Sequence, residues 1–225
     1  MKIQKLLMTI LILFSCQNFI AQYSKSHYIP PITTTGNNAA NPLDQYLYIS
    51  TPSETPVSVT IKPNGGGEIS GTTSNTSPWE YYIGSGTDTN LIITTNSLNG
   101  STFDNKGFII ESEDLTYVSV RLFAGSYYQA GSIVSKGVAA LGTEFRAGTF
   151  ENEGNLTGNT PSNYTNFVSV LATQDNTTVD FKEFGNGVTI INNIPTENIT
   201  LNAGESYSVA ITPYPSSTNS ANANG

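Results

Sequence analysis

Short stretches of alternating apolar and polar residues recur along this chain, and no window beyond residue 21 holds a helical period. Tyr46-Leu47-Tyr48-Ile49, Val57-Ser58-Val59-Thr60-Ile61, Val118-Ser119-Val120-Arg121-Leu122, Val168-Ser169-Val170-Leu171 and Val179-Asp180-Phe181 are β-branched or aromatic runs bounded by Gly, Asn, Pro or Thr. A period of two places successive side chains on opposite faces of a strand, so these runs predict half-buried strands. The expected fold is all-β: two related antiparallel β-sandwich modules, with β-propeller-like blades as the alternative. Lys136 to Phe145 could supply a helical turn, but Gly137 and Gly142 make a loop or strand equally suitable.

A shift of 122 residues lays Leu47–Gly65 over Ser169–Gly187 without a gap. Ile49 falls on Leu171, Thr51 on Thr173, Thr55 on Thr177, Val57 on Val179, Asn64 on Asn186 and Gly65 on Gly187. The pattern is strand, turn, strand, Gly-rich turn, twice over. It divides the chain into an extended N-terminal segment at 22–45, a first β-module at 46–151 and a second at 163–212, with the boundary near 152–163. The first module continues into the strand pair Gly107–Ser112 and Tyr117–Arg121, for which the second shows no counterpart before Gly225. Residues 213–225 are compositionally a linker or truncated loop, so the second module reads as incomplete and the chain as an N-terminal fragment.

Lys2 and Lys5, the apolar run Leu6–Phe14 and Ala21 before Gln22 have the three parts of an export signal, residues 1–21. The apolar run is shorter than the roughly 20 residues that span a bilayer. Leu13-Phe14-Ser15-Cys16 offers the alternative of lipidation at Cys16, with Phe14 a poor fit. Both readings place the protein outside the cytoplasm, secreted or at the cell surface. Cys16 is the only cysteine, so cleavage after Ala21 leaves no disulfide and no thiolate metal site. An exported β-protein without bridges fits a bacterial source, in which case the six Asn-x-Ser/Thr sequons reflect composition.

The formal charge is −8; without Lys2 and Lys5, seven basic residues face seventeen acidic ones and it becomes −10. That balance repels nucleic acid and anionic lipid. Charged residues make up 12% of the chain, about half the roughly 25% of an average globular protein. An uncharged Ser/Thr/Asn/Gly surface suits an adhesive or structural β-protein better than a cytosolic enzyme.

Three stretches together resemble the IgGFc-binding protein N-terminal domain family, whose bacterial members are exported surface proteins. They are Lys106–Val120; Ser135–Arg146, with Leu141-Gly142-Thr143-Glu144-Phe145 the most specific; and Phe167–Val179 followed by Ile199–Tyr207. The resemblance spans about Tyr46 to Tyr207 and breaks where the family would continue with a further strand pair. It implies a binding or adhesion role, often as the leading domain of a longer chain, and does not imply that immunoglobulin is bound.

Catalytic patterns are weak. His27, the only histidine, precedes Pro30-Pro31, where polyproline geometry is expected to keep it outside a core, and no Gly-x-Ser-x-Gly elbow occurs. Glu111, Glu113 and Asp114 form the densest acidic cluster, and a solvated turn at Asp114 explains them more simply than glycoside hydrolysis or calcium binding. Glu144 and Arg146 can pair along one strand face, while Asp175-Asn176 and Asn202–Glu205 suit hairpin turns. No cofactor or metal motif is present. The residues that suit ligand contact are Trp79, Tyr82, Tyr127 and Tyr128, with Glu80, Tyr81 and Gln129 beside them: aromatic faces stack on sugar rings or peptide, and neighbouring amides and carboxylates bond hydroxyls. Adjacent aromatics on a strand face opposite ways, so one of each pair belongs to the core.

The expected function is an exported, non-enzymatic surface module that binds a glycoprotein, a glycan or a neighbouring domain. The alternatives are an accessory or catalytic domain of a carbohydrate-active enzyme and a purely structural spacer.

Overall fold

A computed structural model of the protein describes residues 22–34, 42–124, 130–148, 166–185 and 188–212. The signal segment with Cys16, the boundary at 152–163, the pair Tyr127 and Tyr128, and the tail at 213–225 lie outside the described residues. The chain is all-β, with antiparallel sheets: the strands are β1 (Ser24–Ile29), β2 (Ile32–Thr34), β3 (Pro42–Ser50), β4 (Val57–Pro63), β5 (Ile69–Thr73), β6 (Trp79–Gly84), β7 (Ile92–Thr94), β8 (Phe108–Ala124), β9 (Ala130–Val134), β10 (Asn166–Leu171), β11 (Thr177–Val179), β12 (Thr189–Ile190), β13 (Ile199–Leu201) and β14 (Ser206–Thr212). One pair, β2 with β7, is parallel.

β8 organises the first module. Its first half pairs with β4 on one edge and β1 on the other, Ile110 standing opposite Ile61 and His27. Its second half pairs with β3 and β9, Val120 standing opposite Leu47 and Ile133. β5 extends the sheet beyond β4, and β6 extends it beyond β3. The strands on either side of β8 are therefore broken where β8 is continuous, and the sheet folds over at that break into two halves that face each other. Leu47, Ile49, Val118 and Val120 from one half meet Val59, Ile61, Phe108 and Ile110 from the other, all at most 1% exposed. Each such side chain contributes about 1.5–3 kcal/mol by leaving water. Trp79 on β6 lies flat against Gly71 on β5, where a Cβ would come within 2.6 Å of the indole, so the two outer strands nearly close the sheet into a barrel.

The continuity of β8 differs from the sequence expectation of a strand pair with a turn at Asp114. Because different strands pair with each half on both edges, the backbone is satisfied without reversing, and Asp114 sits exposed at the bend. His27 also departs from expectation: it is 0% exposed. The Pro30-Pro31 pair comes after β1 has ended, so it does not prevent residues 24–29 from pairing with β8.

A second, smaller core is built on β10 to β14. Under the 122-residue shift β10 falls on β3, whereas β11 and β4 share only the Val57–Val179 position. β14 pairs with β10 and β13 with β11, as the two halves of β8 pair with β3 and β4. Asn202–Glu205, expected to suit a hairpin turn, separate β13 from β14, whereas β8 runs through without a break.

β14 is buried on both faces. Tyr207, Val209 and Ile211 enter the second core with Leu201 and Ile199. Ser206 and Ser208, 0% and 1% exposed, face the first module instead. Ser208 Oγ lies 2.6 Å from Thr33 Oγ1 and 2.8 Å from Ser169 Oγ, and Ser206 Oγ donates to the Lys106 carbonyl. Asn192 Nδ2 donates to the carbonyls of Thr95 and Leu98, which joins the modules at a second point.

Candidate binding site

β6 carries Trp79-Glu80-Tyr81-Tyr82, and the pleat sorts them. Trp79 and Tyr81 turn inward and pack at the edge of the first core, with ring centroids 6.2 Å apart. Glu80 and Tyr82 turn outward onto the exposed face of the β6–β3–β8 half-sheet. Of the aromatic residues singled out in the sequence, Trp79 and Tyr82 thus occupy opposite faces of one strand.

The outward face holds an aromatic row that crosses three strands. Tyr46 lies opposite both Tyr82 and Arg121 in the ladder, with ring centroids of Tyr46 and Tyr82 5.3 Å apart. Phe123 meets Tyr46 edge-on at 6.2 Å, and Tyr48 lies 6.0 Å from Tyr46 along β3. Tyr82 is 50% and Phe123 45% exposed. The Arg121 guanidinium sits 4.6 Å over the ring of Tyr48.

Carboxylates fix these rings. Tyr82 Oη donates to Asp44 Oδ1 at 3.1 Å, and Glu80 stands opposite Tyr48 in the β3–β6 ladder. The Tyr48 phenol pKa is raised first by the neighbouring Glu80 carboxylate, and the Tyr82 phenol first by partial desolvation and then by Asp44. Both hydroxyls therefore remain protonated donors at neutral pH. Tyr46, Tyr48, Phe123, Arg121 and Asp44 were not singled out in the sequence. The alternation of β3 and β8 was visible, but which outward positions become neighbours depends on the β3–β8 register.

A second exposed surface follows β9. After a 3-10 turn at Gly137–Ala140, residues 141–148 run without regular structure and all are exposed. Ile133 is 47%, Val138 56%, Leu141 45% and Phe145 65% exposed. Arg146 lies 4.0 Å from Glu144 and 3.8 Å from Glu183, all highly exposed, and this pairing is not along a strand as the sequence suggested. Four large apolar side chains within thirteen residues of sequence are thus left in contact with water.

The remaining polar residues serve the fold. His27 Nδ1 faces Ser135 Oγ at 3.0 Å, and Nε2 faces the carbonyls of Thr116 at 3.0 Å and Ser24 at 3.2 Å. The two carbonyls require a proton on Nε2, so Ser135 donates to Nδ1. Desolvation lowers the His27 pKa, against the raising effect of the two carbonyls. Glu111 is engaged by Lys62 Nζ at 2.7 Å, and Glu113 and Asp114 are exposed. Asp175 Oδ1 accepts from Ala203 N–H and Glu205 Oε2 from Asn202 N–H, so the acids at both expected turns bind backbone. Among the described residues, no group of three or more His, Cys, Asp or Glu could hold a metal ion, and no helix is long and apolar enough to cross a membrane.

Residues 130–223 match the family model described as IgGFc binding protein. The matched segment begins at β9, includes the exposed stretch through Phe145 and covers the second module. No curated protein and no solved structure gives a significant match.

Proposed function

Because the chain carries an IgGFc-binding family domain at residues 130–223, we propose that it is an exported, non-enzymatic surface module that holds an extracellular glycoprotein, glycan or neighbouring domain. The observation that carries this reading is the bare apolar surface of Ile133, Val138, Leu141 and Phe145 inside the family segment. Burying such side chains against a partner releases the same free energy as burying them in a core, while leaving them in water invites association of some kind. The export signal at 1–21 supports a location where an extracellular partner is met, with Cys16 as an alternative lipid anchor. Tyr82, Tyr127 and Tyr128 belong to the proposed ligand-contact set; Trp79, expected among them from the sequence, packs against the first core and Gly71 instead and is left out.

The test is interferometry with the immobilised chain against secreted mucin, serum glycoproteins and immunoglobulin Fc, together with protease shaving of intact source cells. Binding should fall about tenfold or more in Leu141→Ser and Phe145→Ser, the loss expected when an apolar anchor worth about 1.4 kcal/mol or more is removed. A chain that resists shaving on intact cells and binds none of these partners would remove the proposal.

A further inference from the structure

The geometry points to the outward face of the β6–β3–β8 half-sheet as a binding site for a neutral oligosaccharide, with Tyr82, Tyr46 and Phe123 as stacking platforms. This deepens the binding reading above but rests on a different surface from the apolar stretch at 133–145.

Three features select this ligand. First, the rings come in sequence across neighbouring strands, Tyr82 to Tyr46 at 5.3 Å and Tyr46 to Phe123 at 6.2 Å, and the two outer rings are about half exposed. A pyranose ring has one apolar face of C–H groups that an aromatic face covers, leaving its hydroxyls at the rim. Second, acceptors and donors stand at that rim: Asp44 bonded to Tyr82, Glu80 opposite Tyr48, and the two phenol hydroxyls themselves. The hydrogen bond between Tyr82 and Asp44 orients that pair before a ligand arrives, which reduces the ordering cost of binding.

Third, charge discriminates among ligands. Asp44 and Glu80 repel an anionic chain, as does the net charge of −8. The cation position over Tyr48 is already filled by Arg121, 4.6 Å from the ring centroid, so a basic peptide would find it occupied. Cores of protein interfaces are depleted in acidic residues, whereas here Asp44 accepts from Tyr82 and Glu80 stands opposite Tyr48 within the aromatic row itself. Hydroxyl-rich neutral chains suit both the rings and the interleaved carboxylates.

The experiment is affinity electrophoresis and titration calorimetry of the purified chain against cellohexaose, chitohexaose, laminarihexaose, xylohexaose and mannohexaose, with polygalacturonate as the anionic control. At least one neutral hexamer should bind, and Tyr82→Ala and Phe123→Ala should each weaken it about tenfold, the effect of losing one stacking contact near 1.4 kcal/mol. Both side chains are exposed, so circular dichroism should show the fold intact. Tyr82→Trp should retain binding, because a stacking face is restored. Absence of binding to every neutral hexamer, preference for polygalacturonate, or unchanged affinity in both alanine variants would overturn the assignment. Glycoprotein capture that persists in Tyr82→Ala and Phe123→Ala but is lost in Phe145→Ser would reject the glycan site and leave the binding-module reading standing.

Discussion

At the scale of single residues, His27 shows how burial converts a weak sequence signal into a structural one. Its neutral ring fits its site because Nε2–H serves two carbonyls and Nδ1 accepts from Ser135, itself also the acceptor of Gly137 N–H. Protonating Nδ1 places a charge in a site with no carboxylate partner among these contacts. The pKa in the folded state is lowered from 6.5, so between that lowered value and 6.5 the unfolded chain binds more protons than the folded one. Stability then rises with pH through this window, is fully present above about 6.5 and is lost on acidification. Thermal melts at pH 7.5 and 5.5 should show this fall in the wild type and a smaller one in His27→Gln. A histidine before a Pro-Pro pair gave no sign of this in sequence. The groups that hold it, Thr116 and Ser135, lie 89 and 108 positions away.

The same scale explains why only part of the aromatic site was legible. Tyr82 could be nominated from β6 alone, because Glu80 and Tyr82 alternate with Trp79 and Tyr81. Tyr46 and Phe123 become its companions only through two strand registers that no local pattern specifies. Trp79 is committed to the opposite face, closing the sheet against Gly71. Gly71→Val should therefore cost about 1–3 kcal/mol by overpacking, read by chemical denaturation, while leaving Tyr82 in place.

At the scale of elements, periodicity was a sound guide to existence and a poor guide to continuity. The alternating runs at 46–49, 57–61, 118–122 and 168–171 are strands, whereas of the run at 179–181 only Val179 lies in one, at the end of β11. The supposed turn at Asp114 fails because turn-forming residues are permissive, and what decides is whether both edges of the backbone find partners. Across one of those edges Lys62 Nζ meets Glu111 Oε2 at 2.7 Å, with both side chains well exposed. Glu111→Gln should lower stability by less than about 1 kcal/mol, and the difference should shrink further in 0.5 M salt. A larger, salt-insensitive loss would mean that the pair does more than decorate the β4–β8 ladder.

At the scale of the whole molecule, the all-β class was legible and the contact between the two cores was not. In Ser206-Tyr207-Ser208-Val209 alternation marks the serines as solvent-facing, yet they are buried because a second module covers them. Alternation reports which residues share a face and says nothing of what that face meets. Ser208→Ala should cost about 1–3 kcal/mol, since it leaves the buried Thr33 hydroxyl without this partner and removes the acceptor of Ser169. Gly107→Ala should be worse than an ordinary loop change. Its φ of +105° favours glycine, and a Cβ would meet Leu171 Cδ1 and the Ile29 carbonyl oxygen, both at 2.8 Å. Both variants should destabilise the two modules together, visible as one displaced transition in calorimetry rather than two.

The bond between Thr33 and Ser208 closes a loop of 175 residues, and β1 waits for β8 across some ninety more locally connected ones. A ribosome releases the first strand long before its neighbours exist, so Ile29 and Ile32 emerge with nothing to cover them. Such remote pairings make folding slow, and the whole chain must be out before it is complete. β1 and β2 gain their partners once β7 and β8 have been made, but the Thr33 hydroxyl keeps its place open until Ser208 arrives, so the last described strand to be synthesised is the one that seals the first.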